Sequence, residues 1–573
     1  MLLLVSKLFP IKLIVCTLIV SSLFQSICNH ERPNILLIIV DDLGWDDLSY
    51  TGNDFISTPN IDTLAKEGVK LSNYYVQPIC SPSRSSLLSG YHPIQTGMQH
   101  SVIAGDEPWG LSEQFQILPQ YLKSLNYSTH LIGKWHQGFC SKKMIPIERG
   151  FDSYIGFLSG ATDYYDRITR SNSKWGLDWY QNETRAADQF IGQHSTEIFT
   201  SQAIKLIESY SNSNDPWFIE ISYQAVHIGN SPKLYQVPVD YFNRYSYIND
   251  INLRSYVALL SSLDDSIGKI FNSLHRYGQS NSTLIIFTSD NGAPTGTLND
   301  KHTNLGVGSN QPLRGSKYTL WEGGIKGLSW VWANWLKSKG TIYSGLSHIS
   351  DWLPTIYSFA GGNSSNLPGN LYGINLRYEL EGNYNKQSAN NETKMNYYSL
   401  RNELLHNIDD IWKVFSIRIG DYKIVSGSVL DGKFDDWVVR NFTNHIGKNN
   451  HQLVNYKSSS LKLPSTSSSW LTLNQSLYEL DERSIERPFN LLRISCNNQT
   501  RNNCQPLREP CLFNIVQDPC EYNNIASNNK LIVNQMINRI NELRQIAIKP
   551  VNKPSDPKAA PIYHGGYWTW WLS

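Results

Sequence analysis

The stretch Asn34-Ile35-Leu36-Leu37-Ile38-Ile39-Val40, followed at once by Asp41-Asp42, decides the fold class. It is short, apolar and rich in β-branched residues, with no polar alternation. That pattern suits a strand buried on both faces, the environment of a parallel sheet. Ser282 to Ser289, with Leu284-Ile285-Ile286-Phe287 at its centre, has the same character and runs into Asp290-Asn291-Gly292. In open α/β sheets, ligands bind outside the carboxyl ends of the strands. Two distant strands that both end in oxygen donors therefore predict one shared site.

Helical patterns alternate with these strands. Leu253 to Tyr277 places Tyr256, Leu260, Leu263, Ile267, Ile270 and Leu274 on one face, and Gly278 is a credible stop. Leu118 to Leu125 reads as a shorter helix started near Pro119, feeding a strand over Ser128 to Gly133. Trp217 to Ser222 reads as another strand. The alternation predicts an α/β domain. Beyond about residue 360, Gly, Asn and Ser become dense through Asn391, and again from Gly447 to Ser469. Between them, Val414 to Val425 reads as strand, Gly-Asp turn and strand, which suits a smaller antiparallel sheet. The expected division is a large α/β domain over 29–411 and a smaller C-terminal domain over 412–573. No internal repeat is evident.

A chain of 573 residues is too long for one small core, which agrees with that division. Its formal net charge of +1 provides no global field for nucleic acid or an anionic membrane. Met1 to Cys28 carries Lys7 and Lys12, then the apolar run Leu13 to Leu23, then small or polar residues. This is the layout of a secretory signal peptide over 1–28, and the run is short for a membrane span. The expectation is a secretory-pathway protein, lysosomal or secreted, with no stable membrane insertion after cleavage. Asn-X-Ser/Thr acceptors at Asn126, Asn182, Asn281, Asn363, Asn391, Asn441, Asn474 and Asn498 predict a glycoprotein with several of them used. Cys496, Cys504, Cys511 and Cys520 cluster where an oxidising compartment favours disulfides, with connectivity open. Cys140 has no evident partner.

The chemistry-bearing residues fall into three groups. Asp41, Asp42, Asp290 and Asn291 supply hard oxygens, which suit calcium or magnesium better than zinc. Either pair alone reads more readily as turn formers or caps. Cationic groups lie elsewhere: Lys134 and His136 in Gly133-Lys134-Trp135-His136-Gln137-Gly138 and His227 in Tyr223-Gln224-Ala225-Val226-His227, each after a strand, and Lys317 in Pro312-Leu313-Arg314-Gly315-Ser316-Lys317, ahead of Glu322-Gly323-Gly324. Each alone reads as a surface or satisfied core residue. The third element is Cys80-Ser81-Pro82-Ser83-Arg84, continuing Ser85-Ser86-Leu87-Leu88-Ser89-Gly90. Taken alone, Cys80 reads as a buried or disulfide cysteine. Arg84 stands one helical turn on from it.

That last stretch resembles the sulfatase signature. Arg32-Pro33-Asn34-Ile35, Asp41-Asp42-Leu43-Gly44, Thr58-Pro59-Asn60-Ile61-Asp62 and Gly-Lys-Trp-His accompany it in family order. Arg149-Gly150-Phe151-Asp152, Gln224-Ala225-Val226-His227 and Trp321-Glu322-Gly323-Gly324 resemble the arylsulfatase B branch, the N-acetylgalactosamine-4-sulfatases. The resemblance runs from about Arg32 to Gly327 and loosens beyond. It implies an alkaline-phosphatase-like fold: a large mixed sheet flanked by helices, with a small C-terminal antiparallel sheet. It implies that a formylglycine-generating enzyme oxidises Cys80 to formylglycine during maturation. One hydroxyl of the aldehyde hydrate would attack sulfur, and the other would expel sulfate by re-forming the carbonyl. One calcium ion would be held by Asp41, Asp42, Asp290, Asn291 and the modified Cys80. Arg84 would stabilise the modified residue and His136 would assist proton transfer. Lys134, His227 and Lys317 would grip the sulfate of a sulfated carbohydrate, specifically N-acetylgalactosamine 4-sulfate units of glycosaminoglycans.

Two alternatives are a related hydrolase for another sulfate or phosphate ester, and a non-catalytic carbohydrate-binding relative. The second is disfavoured because every catalytic position holds a competent residue. Gln137 departs from the branch, where an aliphatic residue is common, and points to an altered sugar-binding rim. The aromatic end Gly565-Gly566-Tyr567-Trp568-Thr569-Trp570-Trp571 reads better as a packed tail than as a sugar platform.

Overall fold

The computed structural model describes residues 32–230, 234–295, 306–382, 399–438, 492–496 and 504–573. The expected signal peptide, the polar stretch 447–469 and the acceptors Asn391, Asn441, Asn474 and Asn498 lie outside the described residues. The other four acceptors, Asn126, Asn182, Asn281 and Asn363, are all exposed.

Four parallel strands form the centre: β1 (Asn34–Val40), β2 (Ser128–Lys134), β3 (Trp217–Tyr223) and β4 (Thr283–Ser289). Their spatial order is β4, β1, β3, β2. Shorter strands extend the sheet to ten among the described residues. Ser329–Trp332, Val69–Leu71 and Ile342–Tyr343 lie beyond β4; Ser153–Phe157, Tyr180–Gln181 and Thr184–Arg185 lie beyond β2. Both pairings of Ser329–Trp332 are antiparallel, so the sheet is mixed.

The unbroken apolar run of β1 has a direct structural reason. Leu36, Ile38 and Val40 enter one core and Ile35, Leu37 and Ile39 the other. The first core is closed by α2 (Ile251–Arg276), whose Leu260, Leu263, Ile267 and Leu274 are the predicted helix face. The second is closed by α1 (Cys80–Ser89), through Leu87 and Leu88, and by helix Trp352–Phe359. Each buried Leu or Ile contributes about 1.5–3 kcal/mol. Ile38→Ala, opening a cavity at the sheet centre, would cost about 2–5 kcal/mol.

Local chemistry shifts some predicted boundaries. The helix read from Leu253 begins at Ile251, because the Leu253 amide donates to the Asp250 carboxylate, an N-cap that apolar spacing does not mark. Ser282 closes a short 3-10 turn, so β4 starts at Thr283.

The smaller sheet is antiparallel: β5 (Glu403–Asp409), β6 (Val414–Ile419), β7 (Tyr422–Ser426) and β8 (Cys511–Asn514). Residue 411 lies in the turn between β5 and β6. Helix α3 (Lys530–Ile546) packs Met536 and Ile540 on one face, against Leu405, Ile417, Ile424 and Leu512. The other face meets Leu320, Trp321 and Ile325 of the large unit. The four cysteines pair as Cys496–Cys520 and Cys504–Cys511. The aromatic tail is packed: Trp568 is buried, its indole N–H donates to the Thr169 carbonyl, and its own carbonyl accepts from the Tyr180 hydroxyl. No helix among the described residues is long and apolar enough to cross a membrane.

Candidate active site

The carboxyl ends of the central strands converge. Asp41 and Asp42 follow β1, Asp290 and Asn291 follow β4, Lys134 ends β2, and His227 lies just past β3. Cys80 is the first residue of α1, so the positive end of that helix also faces the convergence. Two of the turns are strained. Asp42 and His136 have φ of 60° and 54°, a region costly for residues other than glycine and concentrated at functional sites.

These side chains form one buried network. Lys134 Nζ lies 2.6 Å from Asp41 Oδ2, and Lys317 Nζ lies 2.6 Å from Asp42 Oδ1. Arg84 donates from Nε to Asp290 Oδ2 at 3.0 Å and from Nη1 to Ser222 Oγ at 2.5 Å. Asn291 Nδ2 donates to Asp42 Oδ1 at 2.7 Å, and His227 Nε2 stands 3.5 Å from Asp42 Oδ2. Cys80 Sγ is 3.6 Å from Asp41 Oδ1. Three carboxylates thus face three permanent cations, all nearly inaccessible to solvent. Burying an ion costs several kcal/mol unless it is paired, so the partners depend on one another.

The titration directions reflect that balance. Burial pushes Asp41 and Asp42 up, but Lys134, His227 and Arg84 around Asp41, and Lys317 and His227 around Asp42, outweigh it and hold both carboxyls below the ordinary value. Asp290 goes the other way, raised by burial and by the Asp41 charge despite Arg84. Burial pushes the Cys80 thiol up to about 12, so the unmodified cysteine is no thiolate nucleophile at neutral pH.

Asp41, Cys80 and Asp290 each offer a ligand atom within 4.8 Å of the others, as do Asp41, Asp42 and His227. Asn291 Oδ1 is buried with no hydrogen-bond partner among the described residues. An orphaned amide oxygen among three carboxylates is a donor set that a hard divalent cation fits.

His136 stands beside the network. Its Nε2 is 3.1 Å from the Ile103 carbonyl, its Nδ1 is buried without a partner among the described residues, and a Cβ at Gly160 would lie 2.7 Å from the ring. A carbonyl only accepts, so the proton sits on Nε2 and Nδ1 keeps its lone pair. Burial, then Lys134 and Arg84, hold the ring far below its ordinary pKa and therefore neutral.

All ten predicted site residues are thus gathered at the strand ends. Sequence reasoning missed their supports. Ser222, the acceptor for Arg84, was hidden inside a strand. Glu220, two residues earlier on the same strand face, is buried with Oε2 unpartnered among the described residues and is pushed up to about 7 by burial, with Arg84 opposing. An acidic residue within an apolar strand was its only signal. Tyr164 donates its hydroxyl to the His227 carbonyl at 2.7 Å. Gln137 is not on a rim: it is buried, and its amide donates to the Ser81 carbonyl at 3.1 Å behind the first turn of α1.

Residues 33–362 match the family model described as Sulfatase. Over 561 residues the chain is 35% identical to arylsulfatase J of Mus musculus, covering 94% of this chain and 80% of that one. The chain belongs to the sulfatase family. It is accordingly a sulfuric ester hydrolase, of a family that uses a metal ion and formylglycine. It is also 30% identical over 345 residues to N-acetylgalactosamine-6-sulfatase of Mus musculus, covering 58% of this chain and 63% of that one. The solved structure of Ps i-CgsB in complex with k-i-k-neocarrahexaose matches with a TM-score of 0.65 and 21% identity, covering 91% of this chain and 94% of that one. This likeness fixes the alkaline-phosphatase-like fold of the present sulfatase.

Proposed function

We propose that this sulfatase removes sulfate from N-acetylgalactosamine sulfate units of glycosaminoglycans, with formylglycine at position 80 and one calcium ion. The observation that carries the reading is the meeting of Cys80, three carboxylates and three cations at the ends of four strands. Asp41, Asp42, Asp290, Asn291 and the modified Cys80 would hold the ion. Formylglycine supplies a hydrated aldehyde as nucleophile, and calcium supplies positive charge to the sulfate.

The chain's own residues do the rest. Lys134 and Lys317 present donors to the sulfate oxygens, and His227, whose Nδ1 donates to the Ile228 carbonyl at 2.7 Å, adds a donor from Nε2 when its ring is protonated. Arg84, tied to Asp290 and Ser222, holds the first turn of α1 in place. His136 Nδ1 is a neutral acceptor able to take a proton at the reacting centre. Lys317 stays protonated, because Asp42 outweighs the opposing effect of burial, and can donate toward the leaving oxygen.

The motif resemblance to the arylsulfatase B branch supports the 4-sulfate. Similarity to an N-acetylgalactosamine-6-sulfatase supports the 6-sulfate as a second reading. Turnover of N-acetylgalactosamine 4-sulfate and 6-sulfate, side by side with an aryl sulfate and an aryl phosphate, tests the assignment. Preference for the 4-sulfate is expected, and preference for phosphate would overturn the reading. We also infer maturation by a formylglycine-generating enzyme in the secretory pathway and a lysosomal or secreted destination. Mass spectrometry of the residue-80 peptide from protein made in that pathway should show the aldehyde, and a bare thiol there would sink the mechanism.

A further inference from the structure

Tyr318 is the next residue after Lys317, and nothing in the mechanism above uses it. Its backbone is in the left-handed region, at φ 79°, a conformation that a bulky residue adopts only when its surroundings impose it. Two hydrogen bonds impose it here. The Lys317 amide donates to the Ala293 carbonyl at 3.1 Å, two residues past Asn291, and the Tyr318 amide donates to the Pro78 carbonyl at 2.8 Å, two residues before Cys80. The turn is therefore pinned to both strands of chain that carry the site.

The ring lies between the sulfate cradle and the smaller unit. Lys317 Nζ is 5.9 Å from the ring centroid, while the same ammonium is 2.6 Å from Asp42. Phe434 stacks against the ring, with centroids 6.2 Å apart and planes inclined by 26°. Phe434 is buried, whereas Tyr318 remains partly exposed. Lys317, and less strongly Lys134, draw the phenol pKa down, but burial and the Asp42 charge prevail and hold it above its ordinary value.

We propose that Tyr318, backed by Phe434, forms a subsite for the pyranose ring that carries the sulfate ester. This rests on the sulfatase reading of the preceding section. A sulfate oxygen on Lys317 would place the ester-bearing carbon one S–O–C link further out, within reach of the Tyr318 ring, whose centroid is 5.9 Å from that ammonium. A partly exposed aromatic with a neutral hydroxyl offers the C–H face of a sugar an apolar surface and its hydroxyls a hydrogen-bond partner. A neutral aromatic also adds affinity for the sugar without adding affinity for free sulfate. Binding of sulfate and binding of sugar are thus divided between adjacent residues, Lys317 and Tyr318.

The test compares three readouts for Tyr318→Ala, Tyr318→Phe and Phe434→Ala: KM for a sulfated N-acetylgalactosamine monosaccharide, its kcat, and Ki for inorganic sulfate. Alanine and leucine at 318 meet the same backbone cost as tyrosine, so Tyr318→Leu serves as the second variant if alanine folds poorly. The expected result is a KM raised about tenfold by Tyr318→Ala, with kcat changed less than about threefold and Ki for sulfate unmoved. Tyr318→Phe should keep most of the sugar affinity, and Phe434→Ala should raise KM in the same direction but less. An unchanged KM in Tyr318→Ala and Tyr318→Leu overturns the subsite. A rise in Ki for sulfate that matches the rise in KM also overturns it, because the cradle itself has then collapsed. Wild-type protein that hydrolyses no sulfate ester overturns the underlying reading instead.

Discussion

Lys134 and Asp41 meet at 2.6 Å although β2 and β1, the strands they end, are not neighbours. β3 lies between them, so the ion pair spans a strand, and both side chains are withdrawn from solvent. Lys134→Met keeps the bulk and removes the charge. It should destabilise metal-free protein by about 3–5 kcal/mol, since an uncompensated buried carboxylate remains. Urea unfolding of both proteins measures this. A loss under about 1 kcal/mol would show that the pair carries little of the site's balance.

Among the described residues the Cys80 sulfur makes one weak hydrogen bond, its 3.6 Å approach to Asp41. Cys80→Ala should therefore leave the thermal midpoint within a few degrees of wild type and lower aryl sulfate turnover on the order of 10⁴-fold or more. Activity that survives the substitution would refute the assigned nucleophile.

A divalent cation should stabilise the fold by mass action. Calcium at about a hundred times its dissociation constant should add about 2.7 kcal/mol, read as a rise in Tm on titrating chelated protein. Activity should vanish with chelator and return with calcium. A Tm indifferent to calcium would count against the site at Asp41, Asp42, Asp290 and Asn291.

Glu220 makes stability pH-dependent. Burial raises its folded-state pKa to about 7, against the ordinary 4.5. The native state therefore holds a proton that the unfolded state releases. The associated stability is fully present below about pH 4.5 and is lost as pH rises through 7, a change on the order of 3 kcal/mol. Glu220→Gln should abolish that dependence, making the variant more stable than wild type at pH 8 and little different at pH 4.5. Parallel unfolding slopes across that window would refute the buried, proton-linked role.

The strand ends were legible because an unbroken run of branched apolar residues has few alternatives to a strand buried on both faces. The acids, lysines, histidines and cysteine were legible because each followed such a run or sat in a distinctive motif. Their partners were not. Ser222 and Glu220 lie within β3, where the sequence signals only a strand and the register decides which face meets Arg84. Tyr318 carries no signal of its own in the sequence, since the role proposed for it depends on Phe434, distant in sequence. Strands as short as Tyr180–Gln181 carry no periodicity and exist through pairing with Ser153–Phe157. The Cys496–Cys520 and Cys504–Cys511 pairing depends on how the chain runs into and out of β8, whose first residue is Cys511, and the cysteine spacing does not carry that.

The packed tail has a mechanical consequence. After α3, the chain returns along the large unit. Amides of Ile548, Val551 and Asp556 donate to carbonyls of Ile94, Gly97 and Asp106, and those of Trp568 and Trp571 to Leu177 and Cys140. The smaller sheet is thus moored by the chain on both sides, which denies it the free swing of an appendage on a single hinge. The same strap runs alongside the loop that presents the Ile103 carbonyl to His136, so slack in the strap would be felt as play in the histidine's tautomer and aim.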